Sequence, residues 1–271
     1  MRGQTQTIQS RHNEQVKKLR QALTRGQRTA EGLLAIETFH LLDEALASRL
    51  AVAQVFCTLE AEEELRRLLL RHRVAPQVVR LAARVFESIS PAPALQGVAA
   101  LVRPRSWTAA DLFRPHPPLV VLLAGIQDPG NAGAILRSGE AFGATGALLL
   151  EGAVHPENSK LLRASAGSAF RLPHVYGLKY GEALETLRRH RTRLYAAVPR
   201  ARRTLDDIDL TEPLALAIGS EGAGVPDPIL AASERVSIQH ARRVESLNAA
   251  VAAGIFLYEA ARRRRDLGPG P

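Results

Sequence analysis

Residues 119–144 read LVVLLAGIQDPGNAGAILRSGEAFGA, and this stretch decides the fold. Leu119–Ile126 is a continuous apolar run, as expected of a strand buried on both faces. A helix is expected from about Gly133 to Phe142. Gly130 and Gly133 permit a tight turn and a close backbone approach, and Asn131 is placed to cap the helix. Arg137 lies six residues beyond Asn131, so its long side chain can share a face with it. On local grounds alone an ordinary capped turn carrying a surface arginine is the favoured reading. No G-x-G-x-x-G is present, so the Rossmann phosphate fingerprint is missing.

The same alternation continues downstream. Ala147–Leu150, Leu194–Val198, Leu214–Ile218 and Arg235–Gln239 are expected strands, and Asn158–Ala166 is helical in pattern. A last helix, from Ser246 to about Arg264, is apolar nearly all round through Leu257, which implies deep burial or an interface. Strands alternating with helices predict an α/β fold with a parallel sheet over residues 119–271. Upstream, Pro104, Pro115, Pro117 and Pro118 break regular structure, and residues 106–118 are expected to be a linker. Residues 31–105 read as a smaller α/β domain. Leu33–Glu37 is apolar, Phe39, Leu42, Ala45 and Leu46 recur at helical spacing, and Val52–Thr58 and Gln96–Val102 are expected strands. Ala61–Arg73 places acids first and bases last, as a helix macrodipole favours, and Val78–Phe86 is expected to be a further helix.

The chain has 271 residues, 46% of them apolar, and carries a formal net charge of +9. That charge points to a polyanionic partner. Its excess in the N-terminal half sits in residues 1–30, where Arg2, Arg11, Lys17, Lys18, Arg20, Arg25 and Arg28 face one acid, Glu14. This is a leading basic arm or helix, either simply solvated or in contact with phosphates. No apolar run is long enough to span a membrane and the N-terminus has no apolar signal core, so a cytoplasmic location is expected. Cys57 is the only cysteine and the eight histidines are scattered, which predicts neither a disulfide nor a metal site.

Two further stretches carry candidate chemistry. Residues 217–230, AIGSEGAGVPDPIL, end a strand in Gly219-Ser220-Glu221-Gly222, with Gly224 following. Such a loop leaves main-chain groups open to a ligand, and Glu221 orders the loop, meets a cationic ligand or caps the next helix. Residues 242–260, RRVESLNAAVAAGIFLYEA, place Ser246 and Asn248 at the mouth of the apolar helix. Ser246 is the expected N-cap, and Asn248 falls in the first turn, where Asn is a poor helix former.

Each motif alone has a structural explanation. In order and spacing, Asn131…Arg137, Gly219-Ser220-Glu221-Gly222 and Glu245-Ser246-Leu247-Asn248 resemble the three-motif pattern of the SpoU (TrmH-like) methyltransferases of the SPOUT superfamily. The resemblance covers about residues 119–262. EGLLAIETFHLLDEAL and LQGVAALVRP are similar to the L30e-like substrate-binding domain that often precedes it. The resemblance implies a C-terminal parallel sheet with a deep trefoil knot, a rare exception to unknotted folds. It also implies a homodimer and the cofactor S-adenosylmethionine. The implied activity is 2′-O-methylation of a ribose in structured RNA, with 23S ribosomal RNA first and transfer RNA second. A non-catalytic RNA-binding protein of the same fold is the alternative. By match of position, Arg137, Asn131, Glu221, Ser246 and Asn248 inherit catalytic roles. Gly219, Ser220, Gly222, Ile238, His240, Ser246 and Leu247 inherit cofactor contacts. Arg137 is either the base or a clamp on phosphate and alkoxide. One departure is visible: the family's Ile-Pro-Met before the third motif is Ile238-Gln239-His240 here.

Overall fold

The computed structural model describes residues 7–26, 28–89, 96–241 and 244–265. The chain divides into two units, Met1–Ser106 with Glu157–Ser159, and Trp107–Pro156 with Lys160–Pro271.

The first unit contains α1 (Glu14–Arg25), β1 (Leu34–Glu37), α2 (Phe39–Ala47), β2 (Ala51–Cys57), α3 (Glu62–His72), β3 (Gln77–Arg80), α4 (Ala83–Glu87) and β4 (Val98–Arg103). Its four-stranded sheet has the order β1-β4-β2-β3. β4 is antiparallel to both β1 and β2, whereas β3 lies parallel to β2. Of the two forms open to the basic N-terminal segment, arm or helix, residues 14–25 adopt the helix. Asn13 caps it by accepting from the Gln15 N–H at 2.9 Å. Val16, Leu19 and Leu23 then bury one face against Phe56, Val79 and Leu101. Lys17 pairs with Glu14 and Lys18 with Glu31, so part of the positive excess is neutralised locally. Arg2 lies outside the described residues.

Residues 78–86 do not form the single expected helix. The β-branched pair Val78 and Val79 extends β3 alongside Val55 and Phe56 of β2. A helix starts only at Ala83, after Ala82 takes an extended backbone with φ −64° and ψ 143°.

The second unit contains α5 (Ala109–Phe113), β5 (Leu119–Ala124), α6 (Pro129–Ala141), β6 (Gly146–Leu150), α7 (Ser159–Ala164), α8 (Ser168–Arg171), β7 (His174–Leu178), α9 (Tyr180–Arg189), β8 (Arg193–Ala197), β9 (Arg203–Thr204), β10 (Leu214–Gly219), α10 (Asp227–Ala231), β11 (Glu234–Ser237) and α11 (Ala249–Arg265). The stretch expected to be a linker is therefore partly helical. Thr108 and Asp111 form a reciprocal cap around α5, and Leu112 and Phe113 join the core of this unit.

Seven strands in the order β7-β6-β5-β10-β8-β11-β9 make one sheet, and every pairing in it is parallel. β5 is buried along its whole length because both sheet faces are covered. Val120, Leu122 and Ala124 face Leu112, Ala183, Leu187 and Ile229 from α5, α9 and α10. On the other face, Leu119, Leu214 and Leu216 lie with Phe256, Leu257 and Ala260 of α11.

Two helix starts differ from expectation, and both differences matter for the site. α6 begins at Pro129, with Asp128 as N-cap accepting from the Asn131 N–H at 2.7 Å. Proline suits the first helical position because its missing N–H has no helical partner there. Asn131 is thus inside the first turn, with its side chain released from capping. Gly133, also helical, allows close packing, since a Cβ there would lie 2.7 Å from the Leu161 carbonyl oxygen. α11 begins at Ala249, and its cap is Asn248, not Ser246. The Asn248 Oδ1 accepts from the N–H groups of Ala250 at 3.0 Å and Val251 at 3.2 Å. Asn is among the strongest N-caps, which resolves its presence at this helix entry.

α11 is not buried all round. Ala249, Ala253, Phe256, Leu257 and Ala260 are buried, whereas Val251 and Tyr258 are 51% and 50% exposed. Its far end is held by Arg264, which donates to the carbonyls of Leu210, Pro117, Pro118 and Glu212 at 2.7–3.2 Å. Burial lowers the Arg264 pKa to about 10. Among the described residues, no helix is long and apolar enough to cross a membrane.

Candidate cofactor cleft and polar network

Parallel strands deliver their C-terminal ends, and the loops that follow them, to one edge of the sheet. Open α/β sheets bind ligands at that edge. β8 leads into Ala197-Val198-Pro199, β10 into Gly219-Ser220-Glu221, and β11 into Ile238 and His240. These three exits, with Ser246, Leu247 and the first turns of α11, line one cleft. The space within it and at its open mouth is about 650 Å³.

Gly219 shapes the cleft wall. The chain doubles back directly after β10, so that Gly224 donates its N–H to the Ser220 carbonyl at 2.9 Å. A Cβ on Gly219 would fall 2.0 Å from the Gly224 carbonyl carbon, well inside contact distance. Gly224 itself has φ +68°, a backbone region that glycine enters without penalty. The Ser220 hydroxyl accepts from the Ala223 N–H at 3.2 Å and closes the turn.

Beside the cleft, three side chains from distant segments meet. The Asn131 amide donates to Glu221. The Asn248 amide donates to the Asn131 Oδ1 at 3.0 Å. Asn131 can bridge the two because Asp128 has taken over the capping role, and Asn248 uses its oxygen for the α11 cap and its nitrogen for Asn131. Glu221 therefore orders the loop through Asn131. It does not cap α10, whose N-cap position is Pro226.

The expected site residues thus separate into groups. Gly219, Ser220, Glu221, Ile238, His240, Ser246 and Leu247 line the cleft. Asn131 and Asn248 adjoin it through Glu221. Gly222 is exposed and is not part of the lining. Arg137 is exposed on α6 and, among the described residues, makes no hydrogen bond or ion pair. Six residues at 3.6 per turn set it roughly 120° round the helix from Asn131, so the two do not share a face. Ala197, Val198, Pro199, Ala252 and Phe256 also line the cleft and were not singled out from sequence. The available signal was the end of the Leu194–Val198 strand, since a neighbouring parallel strand ends at the same edge.

The cleft fits a ligand that combines apolar surface with base-edge polarity. Ile218, Ile238, Leu247, Ala249, Ala252 and Phe256 supply the apolar wall, and the glycine-rich turn supplies exposed main chain. The model of the SpoU rRNA methylase family matches residues 118–258, over half of the chain. The chain belongs to the SpoU rRNA methylase family. Residues 13–100 match the MRM3-like substrate binding domain. A Synechocystis protein described as an uncharacterized tRNA/rRNA methyltransferase is 35% identical over 266 residues, spanning 95% of this chain and 94% of its own. The SpoU methyltransferase AviRb from Streptomyces viridochromogenes, solved with AdoMet, superimposes with a TM-score of 0.82 at 28% identity. That match covers 93% of this chain and 98% of AviRb. A solved RNA 2′-O ribose methyltransferase gives a TM-score of 0.79 at 28% identity, covering 96% and 99% of the two chains. SpoU enzymes are RNA methyltransferases that use S-adenosylmethionine as methyl donor.

Proposed function

We propose that this SpoU-family chain transfers a methyl group to a ribose 2′-hydroxyl of ribosomal RNA, with 23S RNA as the substrate. The cleft at the ends of β8, β10 and β11 is its cofactor site. The observation that carries this reading is the Asn248–Asn131–Glu221 network standing against that cleft. It fixes three chain segments where cofactor and substrate must meet. The likeness to a 2′-O ribose methyltransferase supports the position methylated. A Sinorhizobium meliloti rRNA methyltransferase, matched with TM-score 0.81 at 25% identity, supports the RNA class.

Bound in the cleft, S-adenosylmethionine supplies an electrophilic methyl group. The chain's own residues do the remainder. Ser220 and the Gly219–Gly224 turn present main chain to the ligand, and the apolar wall excludes water. Arg137 has no partner to give up among the described residues, so it is available to clamp an RNA phosphate and steady the developing alkoxide. A guanidinium is a poor base, which favours this role; water accepts the hydroxyl proton as the 2′-oxygen bonds to the methyl carbon and the carbon–sulfur bond breaks, releasing S-adenosylhomocysteine. Positioning of the hydroxyl in line with the methyl group then supplies much of the rate.

The partly exposed apolar stripe of α11, with Val251, Ile255 and Tyr258, supports a homodimer through the C-terminal unit. The position of β10 between β5 and β8, with Ile238, His240, Ser246 and Leu247 lining the same cleft as the β10 loop, supports the knotted threading expected of the family. The match to a substrate-binding domain supports an L30e-like role in holding RNA for the first unit, in the cytoplasm where that RNA resides.

The test maps 2′-O-methyl positions in ribosomal and transfer RNA incubated with the protein and S-adenosylmethionine, using the wild type and Arg137→Ala. We expect one ribosomal position, with the variant reduced about 10²–10³-fold while still binding the cofactor. A site found only in transfer RNA reassigns the substrate. Near-native methylation by Arg137→Ala refutes the clamp, and no methylation by a wild type that binds RNA refutes the enzyme.

A further inference from the structure

Among the described residues between β11 and α11 none is in a helix or strand, yet they supply Ile238, His240, Ser246 and Leu247 to the cleft wall. A wall made of irregular chain holds its shape only if something cross-links it, because each unfixed residue carries conformational entropy. The position before His240 is Gln239, so no proline ring restricts the backbone there.

The cross-link is the His240 ring. Its Nδ1 lies 2.8 Å from the Ile238 carbonyl oxygen and its Nε2 lies 3.1 Å from the Val244 carbonyl oxygen. The Val244 N–H in turn donates to the Ala241 carbonyl at 3.1 Å, a second tie between the described residues on either side of 242–243. One side chain therefore spans the segment from the residue that leaves β11 to the residue just before Glu245-Ser246-Leu247. A neutral imidazole has one N–H and serves one of the two carbonyls at a time, whereas an imidazolium serves both.

We propose that His240 is a positioning residue that preshapes the cofactor cleft by bracing this segment through its main-chain carbonyls, and not by touching the cofactor through its ring. Ring rigidity takes the place of backbone rigidity. A preorganised wall binds more tightly because less ordering remains to be done on binding. The proposal rests on the assignment of this cleft to S-adenosylmethionine.

The experiment measures S-adenosylmethionine binding to the full chain by calorimetry, and methylation kinetics with varied cofactor, for the wild type and His240→Ala, His240→Gln and His240→Asn. Gln places an amide N–H near the Nε2 position and Asn places one near Nδ1, so each keeps one brace. We expect His240→Ala to raise Kd and the KM for cofactor about 5–10-fold, from the loss of roughly one net hydrogen bond, with kcat at saturating cofactor within about twofold. We expect Gln, which retains the longer-range brace to Val244, to recover most of the affinity. Unchanged affinity in His240→Ala overturns the proposal. So does weakened affinity that neither Gln nor Asn recovers, because that pattern marks direct contact between ring and cofactor. If the alanine variant fails to fold, the comparison of Gln with Asn and wild type still decides. Gly219→Ala separates the underlying assignment. If it leaves binding intact, the cofactor lies elsewhere; if it abolishes binding while His240→Ala does not weaken it, only the brace is wrong.

Discussion

Asn248 performs two tasks with the two ends of one amide, and they can be separated. Its oxygen caps α11 and its nitrogen holds Asn131. Replacement by Ala removes both. Loss of an Asn cap costs about 1 kcal/mol, and loss of the bond to Asn131 costs about 0.5–1.5 kcal/mol. The sum is about 1.5–2.5 kcal/mol, which for a unit of this size lowers Tm by roughly 4–8 °C. Replacement by Asp keeps the cap, since Asp is an equally good N-cap and its charge suits the helix dipole. It removes the donor to Asn131 and sets a second carboxylate beside the one on Glu221. The Asn131 Oδ1 then faces a carboxylate, acceptor against acceptor, and turning its amide to relieve this takes the NH2 group away from Glu221. The dipole gain of about 0.3–1 kcal/mol offsets much of the lost bond, so we expect Asn248→Asp to melt within about 4 °C of the wild type yet to lose most of its kcat. Asn248→Ala loses both stability and rate. Thermal melts followed by single-turnover methylation at saturating cofactor distinguish the two. Wild-type kcat in Asn248→Asp would refute the catalytic role of the network. An unchanged Tm in Asn248→Ala would refute the cap.

Gly219→Ala introduces a Cβ 2.0 Å from the Gly224 carbonyl carbon, so the turn must open. Cofactor affinity is expected to fall at least about tenfold, read by calorimetry. Arg264→Met leaves four carbonyls without their donor. It is expected to destabilise the second unit by about 2–4 kcal/mol, seen as a lower urea midpoint. Hydrogen bonds from Arg262 and Arg263 hold the Glu259 carboxyl down to about 2. Its folded-state pKa lies below its unfolded value, so its contribution is present above about pH 4.5 and is lost as pH falls toward 2. Glu259→Gln is expected to flatten the decline of Tm on acidification across that window, measured by melts at stepped pH.

The central strand of the second sheet was legible because burial on both faces writes itself as an unbroken apolar run. β5 follows that run through Leu119–Ala124. β7 was not legible, since His174, Tyr176 and Gly177 in an edge strand produce neither a run nor a clean alternation. The helix entries were misplaced for one physical reason. Asp128 and Asn131, like Ser246 and Asn248, are all competent caps, and sequence cannot rank two good caps a few residues apart. Tertiary geometry ranks them, and the residue that does not cap α6, Asn131, is the one that bridges Glu221 and Asn248. The residue types of the candidate site were readable from motif order. The connectivity of Asn131, Glu221 and Asn248 was not, because these residues stand up to 117 positions apart.

That separation has a consequence for how the site comes into being during synthesis. Asn131 and Glu221 leave the ribosome well before α11, and the cleft takes part of its lining from Ala249, Ala252 and Phe256 on that helix. A nascent chain stalled anywhere before Ala249 can complete much of the parallel sheet and still own no finished pocket. Methylating capacity is thus withheld from every partial product of translation that stops short of α11.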